Sequence, residues 1–221
     1  MKLLFSFLSE PIVIQEGETL ELTIENQKLF RGTIEDLKNQ FEGENGSLII
    51  SIADKPVATK KHVELIDPVC PFDINTKQLL NKVYSVLETN SISESNYMKG
   101  QELLSLIEQY LDGLGEDCGL ILDYSKLSID SIIRSAGPKI SMDYISPLEA
   151  IVDYMELMNG FEGEKLYFFI NLRSYFDDDE ILRFVQTIKS KGMMVLLLES
   201  LERKYVDGTR RILIDTDLCV I

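Results

Sequence analysis

Glu202-Arg203-Lys204 and the acidic run Asp177-Asp178-Asp179-Glu180 come nearest in this chain to the parts of a metal-dependent nuclease. Such an enzyme converges carboxylates and a lysine on a divalent cation and a scissile phosphate. The Glu-Arg-Lys triplet falls beyond a strand, in a loop. The acidic run has a simpler account, because carboxylates at a helix start cap free N–H groups and complement the macrodipole. A nucleotide hydrolase would need a glycine-rich turn around the phosphates, a lysine, and a hydroxyl for magnesium. No GxxxxGKS or GxxxxGKT is present, and the nearest cluster, GFEGEKL at 160–166, leads into a strand instead of out of one. The single histidine, His62, follows Lys60 and Lys61 with no nucleophile placed beside it, so it is expected at the surface or at a strand start. One oxygen-rich cluster remains, Glu116-Asp117 with Asp123 in a glycine-bearing bend. Calcium accepts such ligands from flexible loops, yet the spacing is not that of an EF-hand, and a solvated acidic loop is the better account on sequence grounds.

These residues must be positioned by elements that the periodicity outlines. Residues 3–8, 12–14, 20–24, 47–52 and 63–66 have strand character. Leu20, Leu22 and Ile24 alternate with Glu21 and Thr23, as in a half-buried strand. Between them, Leu29, Phe30, Ile34, Leu37 and Phe41 recur at helical spacing until the turn-rich EGENGS. Pro68 and Pro71 then impose a break. From Asp73 to Gly160 the pattern is almost entirely helical. Asp73 or Asn75 can cap a first helix, a longer one runs through Met98 to Leu111, and glycines 113, 115 and 119 close the hairpin. Shorter helices are expected over 128–136 and 147–158, the latter with proline in its first turn. From Lys165 the chain alternates again: LYFFIN, an amphipathic helix over 177–191, MMVLLLE, and a terminal hairpin of RILID and LCVI. The economical architecture is an α/β domain from 1–72 and 161–221, interrupted by a helical insertion at 73–160.

Charge narrows the function classes. The chain has 221 residues, with 37 acidic and 22 basic side chains for a net charge of −15, which excludes a polybasic nucleic-acid tail or an anionic-membrane binder as the first reading. By segment, 7 bases face 12 acids over 1–72, 6 face 14 over 73–160, and 9 face 11 over 161–221. The excess acid lies in the helical insertion. Two stretches run the other way: 126–142 with Lys126, Arg134 and Lys139, and 189–211 with Lys189, Lys191, Arg203, Lys204, Arg210 and Arg211. Cys70, Cys118 and Cys219 are far apart, so neither a disulfide framework nor a CxxC zinc site is expected. They read as reduced, buried small hydrophobes, Cys219 in the final strand most clearly. LLFSFL near the start ends at Ser9-Glu10-Pro11 without a cleavage site and is taken as a strand. No apolar run approaches the ~18 residues of a membrane span, so a soluble cytoplasmic protein is expected.

Several motifs together resemble a known family. KLYFFINLRSYFDDDEILRFVQTI, GMMVLLLESLERKY and RRILIDTDLCVI carry the closest match, supported by FSFLSEPIVI, VELIDPVCPFDINTKQLL and SIDSIIRSAGPKI. The order of elements resembles the small type II-A CRISPR-associated accessory protein of spacer acquisition. The resemblance implies an α/β head with a P-loop-NTPase-like sheet lacking the phosphate loop, and an inserted all-helical leg. It further implies a non-catalytic homotetrameric ring that binds the ends of double-stranded DNA without sequence preference. Calcium is the implied cofactor, and the integrase proteins and the RNA-guided effector nuclease are the implied partners. By match to the family's basic helix, Arg134 and Lys139 are the main DNA-contact candidates; Arg203, Lys204, Arg210 and Arg211 follow from local charge. The metal candidates are Glu116, Asp117 and Asp123, with Gly119, Ile121 and Ser125 standing where further carboxylates would be expected. A degenerate metal-dependent nuclease or NTPase, or a scaffold whose acidic surface docks basic partners, are the alternatives.

Overall fold

A computed structural model of the chain describes residues 1–67, 69–141 and 143–221. Pro68, one of the two prolines expected to break the chain, and Met142, the end of the first basic stretch, lie outside the described residues. The chain divides into two compact units, one of Met1–Phe72 with Tyr144–Ile221 and one of Asp73–Asp143.

The elements run β1 (Lys2–Leu4), β2 (Ile12–Val13), β3 (Thr19–Ile24), α1 (Gln27–Glu42), β4 (Ile49–Ile52), β5 (Lys55–Pro56), a single-turn helix α2 (Thr59–His62) and β6 (Val63–Ile66). The second unit holds α3 (Lys77–Ser91), α4 (Glu94–Asp117) and α5 (Ile129–Ala136). The first unit resumes with α6 (Pro147–Glu162), β7 (Leu166–Ile170), a 3-10 turn at Leu172–Ser174, α7 (Asp178–Ser190), β8 (Met194–Glu199) and β9 (Thr209–Ile214).

Five strands form a sheet in the order β6-β7-β8-β3-β9, every neighbouring pair parallel. A smaller antiparallel sheet has the order β2-β1-β4-β5. Helices cover both faces of the parallel sheet, which is why its inner strands carry apolar residues at consecutive positions. Phe168 meets Phe41 of α1 edge-on, whereas its neighbour Phe169 meets Phe184 of α7. Ile181, Phe184, Val185 and Ile188 are the buried stripe of α7. Asp177 caps that helix and forms a reciprocal capping box with Glu180, so the acidic run is spent on starting α7.

Several expectations are corrected. The helix expected to end the insertion, α6, belongs to the unit that holds the sheet, because Ile151, Met155 and Met158 on it are fully buried there. The insertion therefore closes at 143 and not at 160. Strand β3 is buried on both faces, Thr19, Glu21 and Thr23 included, since it lies inside the sheet. The first strand stops at Leu4, and the N–H of Leu8 closes a turn on the carbonyl of Phe5. Thr76, rather than Asp73 or Asn75, caps α3. Gly113 and Gly115 lie within α4 and do not end it; a Cβ at Gly115 would sit 3.0 Å from the Leu120 carbonyl and the Leu122 side chain, so glycine there lets the returning chain approach. All three cysteines are exposed. Among the described residues no helix is long and apolar enough to cross a membrane.

Candidate nucleic-acid interface and the ion-pair network of the sheet

The two groups of basic candidates fall on different units. Arg134 lies in the last turn of α5, whose short length is offset by caps at both ends. Ser128 and Ser131 form a reciprocal capping box, and Gly137, left-handed at φ 58°, donates its N–H to the Ile133 carbonyl. A cation in that turn also complements the helix dipole. The Arg134 guanidinium stands 5.7 Å from the centroid of the Tyr84 ring, and its Nη2 lies 2.5 Å from Glu88 Oε1. The latter contact is an ion pair by distance without hydrogen-bond alignment, since Glu88 Oε1 has no directed donor. The side chain nonetheless stays 62% exposed, so it is oriented and still open to an anion.

Lys139 is exposed on the irregular segment after α5. Asn75 pins that segment: its Oδ1 accepts from the Ile140 N–H at 2.8 Å and its Nδ2 donates to the Ile140 carbonyl at 3.2 Å. Sequence reasoning offered Asn75 as a helix cap. Its structural task is to hold the backbone next to Lys139.

Arg203, Arg210 and Arg211 are committed to internal partners, whereas Lys204 has an exposed side chain. Arg210 pairs with Glu18 and donates to the Val13 carbonyl. Arg211 lies 2.9 Å from Glu21 Oε1, bonds Glu202 at 3.2 Å, and donates to the Arg203 carbonyl at 2.8 Å. The Arg203 guanidinium donates to Ser174 Oγ. The Glu-Arg-Lys triplet of the nuclease reading is thus part of a scaffold, with its Glu202 held by Arg211.

At the centre of that scaffold is Arg173, which no sequence pattern singled out. It is 1% exposed, donates to fully buried Glu21 at 2.8 Å, to Asp178 at 2.8 Å and to the Lys204 carbonyl at 2.6 Å. Its own N–H donates to Glu199 at 3.1 Å. Burial, with Glu21 nearby, pushes the Glu199 carboxyl up to about 7 against the opposing pull of the Arg173 N–H, the Arg173 guanidinium and Arg203. Asn171, left-handed at φ 51°, accepts from both the N–H and the hydroxyl of Ser200. The loops after β7 and β8 are thereby stitched together at the carboxyl ends of the strands. The only warning in the sequence was Glu21 itself, which its alternation with Leu20, Leu22 and Ile24 reads as solvent-facing.

The same end of the sheet bears on phosphate chemistry. Only Glu25 and Asn26 separate β3 from α1. Asn26 fills the helix N-terminus with its own side chain, accepting from the Leu29 N–H at 3.0 Å, and donates to the Thr216 carbonyl. A nucleotide hydrolase would place a phosphate on such a helix end through a longer glycine-rich turn. Lys165, from the GFEGEKL cluster, is buried and bound to Glu64 and Glu162. Burial works to lower its pKa, and the two carboxylates outweigh it and raise it. His62 is the last residue of α2, at the start of β6.

The metal candidates do not converge. Glu116 and Asp117 end α4, Asp123 lies in the following loop, and among the described residues no group of three or more His, Cys, Asp or Glu side chains could hold a metal ion. Nearby Asp112 is occupied, accepting from the Tyr124 hydroxyl at 2.8 Å. Partial desolvation and that bond push Tyr124 up to about 12.

Together the placements define an α/β protein with a wholly parallel main sheet, an ion-pair scaffold where the strands end, and a helical unit that carries the exposed Arg134 and Lys139. The model of the family described as CRISPR-associated protein (Cas_Csn2) matches residues 18–218, and the chain belongs to that family, the Csn2 accessory proteins of type II-A CRISPR adaptation. It is similar to the CRISPR-associated protein Csn2 of Enterococcus faecalis, 24% identical over 206 residues that cover 90% of each chain. It is likewise similar to Csn2 of Streptococcus agalactiae, at 23% identity over 202 residues covering 90% of this chain and 89% of that one. Among solved structures, Stu0660 of Streptococcus thermophilus shares the fold, with a TM-score of 0.59 at 14% identity over 97% of this chain and 75% of that chain.

Proposed function

We propose that the protein binds the ends of double-stranded DNA as a homotetrameric ring, without catalysis and without sequence preference, in support of spacer acquisition. Family membership places it in CRISPR adaptation; the finer reading rests on α5. There an arginine oriented by Tyr84 and Glu88, followed by a lysine on a backbone pinned by Asn75, presents two cations that remain open to phosphate. Phosphate contacts position a protein on duplex without reading bases. Lys204 is a secondary contact, and Arg203, Arg210 and Arg211 act in the scaffold that carries it. The integrase proteins and the RNA-guided effector are the partners this reading expects. The β3–α1 junction, two residues long and closed by Asn26, favours a sheet of nucleotide-hydrolase type that has no phosphate loop.

The test is binding of linear and of closed circular duplex of equal length across a salt series. Linear duplex should bind preferentially, with affinity falling steeply as salt rises. Arg134→Glu/Lys139→Glu should weaken linear-duplex binding by about tenfold or more and flatten the salt slope, since each lost phosphate contact removes about 0.9 from it. Shortened DNA or released phosphate in magnesium, calcium or ATP would favour the degenerate enzyme. Unchanged binding by the double variant would remove α5 from the interface.

A further inference from the structure

Helices α6 and α7 belong to the same unit and leave a groove of about 590 Å³ between them. Its apolar floor is Leu148 and Val152 of α6 with Phe184 of α7, all buried, and Ile145 stands at its edge with 95% of its surface exposed. The two walls carry opposite charge. Glu149 and Asp153, one turn apart, line the groove from α6, a helix without a single basic residue. Arg183 and Lys191, two turns apart, line it from α7 and its C-cap. Glu180, also on the α7 side, is spent on the Asp177 N–H in the capping box.

Each wall keeps charge available to a ligand. Arg183 is exposed and has no ion-pair partner among the described residues; Lys191 pairs with Glu156 across the groove, and both of those side chains stay partly exposed. Glu149 accepts the Ile145 N–H on Oε2, at 3.2 Å, and Asp153 accepts from the Tyr144 hydroxyl. The spacing selects a class of ligand. Arg183 and Lys191 are eight residues apart, about 12 Å along the helix at 1.5 Å per residue, so a ligand that meets both is at least two helical turns long. An extended segment with apolar side chains on the floor would point its alternate, polar ones away from both walls. An amphipathic helix satisfies floor and walls together: residues at i, i+3, i+4 and i+7 fill the floor, and the rows on its two flanks face the charges.

We propose that the α6–α7 groove docks an amphipathic helix of a partner protein. The docked helix has an apolar stripe flanked by a basic row, which meets Glu149 and Asp153, and by an acidic row, which meets Arg183 and Lys191. The inference goes beyond DNA binding and does not rest on it, since the groove lies wholly in the unit that holds the sheet and contains none of the DNA-contact candidates. Opposite walls also discriminate between helices. One with like charge on both flanks meets repulsion on one side whichever way it runs, whereas one with unlike flanks fits in one of its two directions.

Three fluorescein-labelled designed helices of about five turns test it, by anisotropy against the full chain. All share one leucine stripe; one peptide has lysine on one flank and glutamate on the other, one has lysine on both, and one has glutamate on both. The unlike-flank peptide should bind at least about tenfold more tightly than the other two. Ile145→Glu should weaken it by about tenfold, with circular dichroism unchanged because residue 145 is almost wholly exposed. Arg183→Glu turns the α7 wall towards the acidic and should reverse the preference in favour of the all-lysine peptide. Absence of binding by the unlike-flank peptide, equal binding of all three, or an unchanged preference in Arg183→Glu would overturn the groove as a helix site. Both variants should also keep the wild-type mass in sedimentation and the wild-type affinity for linear duplex. A lower mass would give the groove to a second copy of the chain, and lost duplex binding would give it to DNA; either overturns the proposal. A wild type that binds the peptide and not duplex would uphold the groove and count against the DNA reading alone.

Discussion

Replacing Arg173 by methionine isolates the energetic role of the scaffold at the carboxyl ends of the sheet. The substitution keeps the length of the apolar stem and removes a guanidinium that is 1% exposed, leaving Glu21, at 0% exposure, with Arg211 as its remaining counter-charge. Removing one partner of a buried pair costs about 3–5 kcal/mol, because the other charge stays desolvated and unmatched. Two further acceptors, Asp178 and the Lys204 carbonyl, also lose their donor, although Asp178 is half-exposed and recovers water. For a unit of this size, the loss corresponds to a fall in Tm of about 10 °C. The chain has no tryptophan, so calorimetry and far-ultraviolet circular dichroism are the suitable assays. Arg173→Met/Glu21→Gln removes both charges together and should recover about half of the loss, as removing both members of a buried ion pair is far milder than removing one. A loss below about 1 kcal/mol in the single variant, or no recovery in the double, would refute the view that Arg173 and Glu21 are coupled across the buried sheet.

Glu199 predicts the pH response of the same region. Its folded pKa of about 7 lies above the ordinary 4.5, so its contribution to stability is fully present below pH 4.5 and is lost as pH rises towards and through 7. Glu199→Gln removes that penalty and should be more stable than the wild type at pH 8, by up to about 3 kcal/mol, with the gap closing at pH 5 in parallel denaturant titrations. Asp177→Ala abolishes the capping box of α7 and should cost about 1 kcal/mol in denaturant midpoint; Asp177→Asn, which retains an acceptor, should cost much less.

How much of this was legible in the chain depends on whether the deciding interaction is local. The start of α7 at Asp177, the proline-led start of α6, the capped α5 and the buried strands β7 and β8 are written within a few residues of themselves, and the structure places them where periodicity and caps predict. Membership of a parallel-sheet α/β family and the insertion of helices were equally open to reading. What was missed is non-local. Glu21 alternates with leucines like a solvent-facing residue, and only strands β8 and β9 on either side of it, with Arg173 from 152 positions away, turn it inward. Arg210 and Arg211 look like free cations in a basic stretch until Glu18, Glu21 and Glu202 are brought against them. Helix α6 has the same helical periodicity as the insertion, and which unit it joins is decided by what its apolar face buries against.

The sequence by itself determined the kinds of element, their order and the uneven distribution of −15 charges, because propensity, capping and charge count are properties of neighbouring residues. Only the tertiary structure decided which of those charges remain available. Arg134, although paired with Glu88, stays 62% exposed and Lys139 is exposed on the helical unit, whereas Arg210 and Arg211 of the last basic stretch are paired with Glu18 and with Glu21 and Glu202, because an ion's partner is set by distance in space and not by distance along the chain.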